Sequence, residues 1–451
     1  MRPIWFLLAA LWAGSHCSSS SSGGKSPLLL VLSLDGFWYK YRALYKTPHL
    51  DRLASEGVQA EYLRNAYVTK TFPNHFTIAT GLYEESHGIV ANAMFDPVLN
   101  ETFDESSREP KWWDNGFSLP IWAANQMHGG RSGSMMWPGG DVPIHGVTTH
   151  YVQSYDAAIN FTARVDRVIS WFLDPREPAN CVFFYYEEPD ATGHVHGPLS
   201  PITGARVEAV DALVGELVAA LKRAKLWDRI HLLVVSDHGM APVTHVSALD
   251  EVLPADLYRA YGTSPVFNIL PAPGREDEVH KRLSEAASRL HFRVYRSSEI
   301  PPEYHYQHNA RILPILVEAE PGWDLVRSKQ EEQENRTYGN HGYSPSLDWM
   351  HPLFVARGPL LRKGLHVGPL ASVNLYPLMG QLLGLPSWPS NGSLHTVRHF
   401  LQPAPSNLPL LLAAASVFLC TTVGLVALVV CGQPRSNANQ EDEEPLLLLS
   451  A

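Results

Sequence analysis

Three stretches of the chain are almost continuously apolar: Leu28-Leu29-Leu30-Val31-Leu32-Ser33-Leu34, Cys181-Val182-Phe183-Phe184-Tyr185-Tyr186 and His231-Leu232-Leu233-Val234-Val235-Ser236. Runs of that length, without polar alternation, predict strands buried on both faces, as in a parallel sheet. Each run ends in acid or imidazole: Asp35-Gly36, then Glu187-Glu188-Pro189-Asp190, then Asp237-His238-Gly239. Between the last two, Val207, Val210, Leu213, Val214, Leu217, Val218 and Leu221 recur every three or four residues, which predicts an amphipathic helix. A helix joining two buried runs makes a βαβ unit. The expected fold is α/β, a central mostly parallel sheet flanked by helices. Residues 256–330 mix short apolar runs with Pro-rich joints and read as a peripheral part of the same domain.

Thr69-Lys70-Thr71-Phe72-Pro73-Asn74-His75 opens a further helical segment that Gly81 closes. Pro73 suits a first helical turn, where its missing N–H costs nothing. A hydroxyl at a helix N-terminus faces free backbone N–H groups, a favourable place for phosphate. Taken alone, Thr71 reads first as a simple cap, since Thr is common there, and the rest of the chain reverses that reading.

The two ends of the chain read differently. Arg2 and the apolar run Ile4–Ala13 predict a signal peptide over residues 1–17, followed by a Ser/Gly spacer over 18–27. The expected ectodomain is 28–400, with a Pro-containing stalk over 401–407. Leu408–Cys431 is long and apolar enough for one transmembrane helix, and 432–451 is a polar tail. The expected localisation is the cell membrane, type I single-pass, with the catalytic domain outside. Within the tail, Glu441-Asp442-Glu443-Glu444-Pro445-Leu446-Leu447 resembles a sorting signal for an adaptor and endosomal cycling. Sequons at Asn100, Asn160, Asn335 and Asn391 suit an extracellular glycoprotein. Cys17, Cys181, Cys420 and Cys431 leave the ectodomain with Cys181 and almost no disulfide capacity, so its stability must come from a large core and from bound metal.

Composition narrows the function. The formal net charge is −10 with no Lys/Arg block, which excludes a nucleic-acid duplex as partner. A phosphorylated substrate would need its counter-charge from metal ions. Asp35, Asp190, His194, Asp237, His238 and His341 supply carboxylates and imidazoles without thiolates, a donor set suited to catalytic zinc. Asp190 and His194 are four residues apart, Asp237 and His238 adjacent, and His341 stands in Gly339-Asn340-His341-Gly342.

These motifs, with Thr80-Gly81-Leu82-Tyr83-Glu84-Glu85-Ser86-His87-Gly88 and Ser236-Asp237-His238-Gly239-Met240, resemble the ectonucleotide pyrophosphatase/phosphodiesterase family of the alkaline phosphatase superfamily. Its fourth and fifth members are the most similar. The resemblance spans residues 28 to about 395. It implies two Zn2+ per chain, one held by Asp190, His194 and His341, the other by Asp35, Asp237 and His238 with Thr71 alongside. It implies Thr71 as nucleophile, Asn92 as donor to a phosphate oxygen, and Phe72 and Tyr155 as the walls around a nucleotide base, with Tyr151 a rival to Tyr155. The implied activity is hydrolysis of nucleotide pyrophosphate or phosphodiester bonds, such as those of dinucleoside polyphosphates and NAD-like pyrophosphates. It proceeds through a phosphothreonine-type intermediate and releases nucleoside 5′-monophosphate. A monomer is expected. Two alternatives stand beside it: a choline phosphodiester or sphingomyelin hydrolase, and a catalytically silent adhesion or signalling ectodomain.

Overall fold

The computed structural model describes residues 26–334, 336–403 and 421–422. The expected signal peptide, most of the spacer and stalk, the tail and Asn335 lie outside these residues, as does the expected membrane segment apart from Thr421 and Thr422. Among the described residues no helix is long and apolar enough to cross a membrane.

Eight strands form the central sheet, in the spatial order Leu365–Val367, Val58–Ala60, Phe354–Arg357, Ile230–Val235, Leu28–Leu34, Cys181–Tyr186, Ser132–Met135 and Tyr151–Gln153. The three apolar runs are the three neighbours at its centre, and they are parallel to one another. Phe354–Arg357 alone runs against the others, so the sheet is mixed. Alternation along Leu28–Leu34 divides its side chains between two faces, both covered, so every position in it is buried. Leu29 and Val31 enter one core, and Leu28, Leu30, Leu32 and Leu34 enter the other. The helix expected from Val207–Leu221 spans Pro201–Arg223, begins on a Ser200 side-chain cap, and buries Val207, Val210, Val214, Leu217 and Leu221 in the second core. The helix Thr71–Thr80 covers the opposite face, with Phe76 and Ile78 in the first core. Gly81 ends it in the left-handed conformation at φ 68°, and a Cβ there would fall 2.6 Å from Tyr376 Cβ.

The region read as peripheral contains a four-stranded antiparallel sheet, in the order Tyr258–Thr263, Val266–Pro271, Ile315–Ala319, Phe292–Arg296. The amphipathic helix Glu276–Leu290 buries Val279, Leu283 and Leu290 in a third core beside it. Among the described residues Cys181 is buried and forms no disulfide.

Glu318, on the strand Ile315–Ala319, is buried to 2% exposure. Tyr67 donates its hydroxyl to Oε2 at 3.0 Å, and the Ser344 N–H donates to Oε1 at 3.0 Å. Burial pushes its carboxyl up from 4.5 to about 7. The folded state therefore keeps a proton that the unfolded chain loses between these values, and stability falls as pH rises through that window. Glu318→Gln removes the charge and should melt progressively later than the wild type as pH rises from about 4.5 to about 8, with a stability gain of about 3 kcal/mol at the upper end. Melting curves of the two proteins over that range check it, and a constant gap refutes it.

Candidate active site

The sheet delivers its acids at the carboxyl ends of the central strands, where open α/β sheets place their ligands. Asp35 follows Leu28–Leu34 directly. Asp190 begins the short helix Asp190–His196, so that Asp190 and His194 share one face. Gly36, at φ 67°, lets the two chain segments touch, since a Cβ on it would sit 2.8 Å from Asp190 Cβ. Asp237 and His238 follow Ile230–Val235. His341 comes from a distant loop that is tied back to Thr69. The Thr69 hydroxyl donates to Tyr343 O at 2.8 Å, the Gly342 N–H donates to Thr69 Oγ1 at 2.9 Å, and His341 Nδ1–H donates to Thr69 O at 2.9 Å.

These residues converge as two trios, Asp190–His194–His341 and Asp35–Asp237–His238, and within each the candidate ligand atoms lie within 4.8 Å of one another. All three histidines present the same atom. Nδ1–H of His194, His238 and His341 donates to the carbonyls of Gly339, Gly239 and Thr69 at 2.8, 2.8 and 2.9 Å. A carbonyl can only accept, so Nε2 is left with its lone pair facing the acids. Asp35 Oδ1, Asp190 Oδ1 and Asp237 Oδ2 are buried and make no hydrogen bond. Buried carboxylate oxygens without donors, beside imidazole lone pairs, fit divalent cations.

The electrostatics agree. Burial, with Asp237 and Asp190 nearby, holds the Asp35 carboxyl well above the usual carboxylate range. Burial, with His238, Lys70 and His194 around it, keeps His341 well below the ordinary imidazole value and hence neutral, the form that binds metal. Three carboxyl groups packed this closely disfavour one another's ionisation, and a cation between them would offset that repulsion.

Thr71 is the first residue of its helix, with Lys70 and not Thr71 in the capping position. Its Oγ1 lies 3.3 Å from His238 Nε2, so the hydroxyl borders the second trio. Asn92 accepts the Phe72 N–H at 3.0 Å through Oδ1. A cleft of about 460 Å³ opens over this cluster, and Thr71, Phe72, Asn92 and Tyr155 all line it. Phe72 rests on Trp113 at 5.9 Å between ring centroids. Tyr155 is half-exposed and meets Tyr185 edge-on at 6.2 Å. Tyr151 faces elsewhere, stacked on Trp171 with its hydroxyl on Glu177 O.

Four functional neighbours were not singled out from the sequence. Tyr185 donates its hydroxyl to Asp35 Oδ2 at 2.7 Å. His75 donates Nδ1–H to Thr71 O at 2.7 Å and bonds Ser33 Oγ through Nε2 at 2.8 Å, fixing the first helical turn against the central strand. Lys70 donates to Ser264 O at 2.6 Å and reaches Asn340 Oδ1 at 3.3 Å, and burial brings its ammonium down to about 8. Glu105 accepts from Asn92 Nδ2 at 3.0 Å. Tyr185 carried a signal, being near the end of an apolar run that leads into Asp190. The other three depend on contacts across the fold.

Residues 29–344 match the family model described as type I phosphodiesterase / nucleotide pyrophosphatase. The chain is 37% identical to human bis(5′-adenosyl)-triphosphatase ENPP4, over 98% of this chain and 99% of that protein. The solved structure of murine ectonucleotide pyrophosphatase/phosphodiesterase 5 superimposes with a TM-score of 0.80 at 42% identity, covering 83% of this chain and all of the other. An inactive variant of that murine protein in complex with AMP matches with a TM-score of 0.80 at 41% identity, covering 84% of this chain and all of the other. The chain therefore belongs to the type I phosphodiesterase / nucleotide pyrophosphatase family of phosphodiester-bond hydrolases, with ENPP4 and ENPP5 among its near relatives.

Proposed function

We propose that the protein is a two-zinc nucleotide pyrophosphatase/phosphodiesterase that releases nucleoside 5′-monophosphate from dinucleoside polyphosphates and NAD-like pyrophosphates. The observation that carries this reading is the convergence of two Asp/His trios beside the hydroxyl of Thr71. The names of the relatives, a diadenosine-triphosphate hydrolase and a protein in complex with AMP, support the nucleotide. Asp190, His194 and His341 would hold one cation, and Asp35, Asp237 and His238 the other, next to Thr71 Oγ1. Bound there, the cations would supply positive charge for the phosphate oxygens and favour ionisation of the threonine hydroxyl.

The rest falls to the chain. Phe72 and Tyr155 bracket the base and fix the nucleotide in the cleft. Asn92 offers an amide N–H to a non-bridging phosphate oxygen, where charge builds as the reaction proceeds. The Thr71 hydroxyl gives up its proton to solvent, Oγ1 attacks phosphorus, a bond forms between them, and the opposite P–O bond breaks in line with it. The leaving group departs with that electron pair, and the nucleotide remains on Thr71. Water then attacks the same phosphorus, the Thr71–phosphorus bond breaks, and a proton returns to the threonine.

The chain is further proposed to be a type I single-pass glycoprotein of the cell membrane. Asn100, Asn160 and Asn391 are exposed, which suits glycan attachment. Asn160 caps the helix Phe161–Phe172 through Oδ1, leaving Nδ2 for a sugar.

Thr71→Ala should lower turnover of a diadenosine polyphosphate by at least about 10³-fold while zinc content is retained; wild-type turnover by this variant refutes the covalent step. Metal analysis of the purified protein should give two zinc ions per chain, removable by a chelator with loss of activity and restored by zinc. Asp190→Asn combined with His194→Ala should leave one. A turnover panel of diadenosine polyphosphate, NAD, ATP and a choline phosphodiester should favour the nucleotides, and turnover of the choline ester alone would replace this reading.

A further inference from the structure

Asn92 is the one amide side chain in the cleft with a proposed role, and an amide works as a donor only if its N–H end faces the substrate. Asn92 is gripped at both ends. Its Oδ1 accepts from the Phe72 N–H at 3.0 Å, and its Nδ2 donates to Glu105 Oε1 at 3.0 Å. A flipped amide would set N–H against the Phe72 N–H and a carbonyl against a carboxylate, two repulsions in place of two bonds. Among the described residues the second Nδ2–H has no partner, and Asn92 lines the cleft with Thr71.

Glu105 is itself held. It stands in a loop closed by the Ser106 N–H on Asp104 Oδ1 at 2.8 Å and by Trp113 Nε1–H on Ser107 O at 3.1 Å. Arg108 donates to the Glu105 carbonyl at 2.7 Å, and its Nε–H donates to Asp141 Oδ2 at 2.9 Å. The connection runs from Asp141 through Arg108 and Glu105 to Asn92, and ends on the peptide N–H next to the nucleophile. A carboxylate acceptor makes its hydrogen bond stronger than a neutral one would. Glu105 is an exposed residue that lines the cleft.

We propose that Glu105 is a positioning residue for the reaction: it sets the orientation of the Asn92 amide so that one N–H is presented to the phosphate. The proposal rests on the phosphodiesterase reading and on the donor role of Asn92 within it. A residue that orients a donor used chiefly in the transition state should alter kcat more than KM.

The test uses the full-length, zinc-replete protein and the p-nitrophenyl ester of thymidine 5′-monophosphate. Glu105→Ala should lower kcat about 10-fold with KM changed less than about 2-fold. Glu105→Gln, which keeps an acceptor oxygen, should recover kcat to within about 3-fold of wild type. Glu105→Ser is made alongside, so that a folding defect in one truncation leaves the other readable. On an Asn92→Ala background, Glu105→Ala should cost nothing further, because the group it orients is gone. An additional loss of about 10-fold in the double variant, wild-type kcat in Glu105→Ala and Glu105→Ser, or a Gln variant as slow as the Ala variant would overturn the proposal. Absence of wild-type turnover would instead remove the phosphodiesterase reading, which separates the two failures.

Discussion

Negative charge held out of water is the constraint on which this molecule turns. Asp35, Asp190 and Asp237 each keep a buried oxygen without a hydrogen-bond donor. Isolated carboxylates in such a place are strongly disfavoured unless they are protonated or paired with cations. The surrounding histidines commit their Nδ1 protons to backbone carbonyls and turn Nε2 toward these acids. The fold is consistent with this demand. Tightly packed central strands, apolar on both faces, pin the acids close together and resist the relaxation that would let them separate.

Much of the fold was legible because parallel strands buried on both faces leave a plain mark in the sequence. Leu28–Leu34 and Cys181–Tyr186 could hardly be anything else, and the 3.6-residue rhythm of Val207–Leu221 gave away the connecting helix. The region 256–330 was readable only as a change of grammar. Its strands are short, the inner two buried and the edge two half-exposed, and their pairing, with Tyr258–Thr263 at one edge and Phe292–Arg296 at the other, is a matter of tertiary contact. The antiparallel strand Phe354–Arg357 was equally silent, since direction leaves no trace in so short a run.

The site divides in the same way. Acids and imidazoles at strand ends announce themselves by position, and their division into two trios comes from the family resemblance. Tyr155 and Tyr151 could not be separated by spacing, and the packing of Tyr151 on Trp171 takes it away from the cleft. Lys70 and His75 lay inside a motif already under scrutiny, yet their roles belong to their partners: Ser264 and Asn340 for one, Ser33 for the other. Glu105 was invisible for the same reason, because the side chain it meets is thirteen residues away on another segment.

The attachment of the His341 loop to Thr69 joins positions 272 residues apart. A nascent chain that has emerged only as far as Met240 already owns Asp35, Asp237 and His238, but lacks the last imidazole of the other trio. The strand that carries Asp237 and His238 is itself braced from the far end of the chain, since Phe354–Arg357 pairs with Ile230–Val235 and the Gly239 N–H donates to Met350 O. Both trios therefore wait on late segments: one for an imidazole, the other for the strand that holds its acid in place.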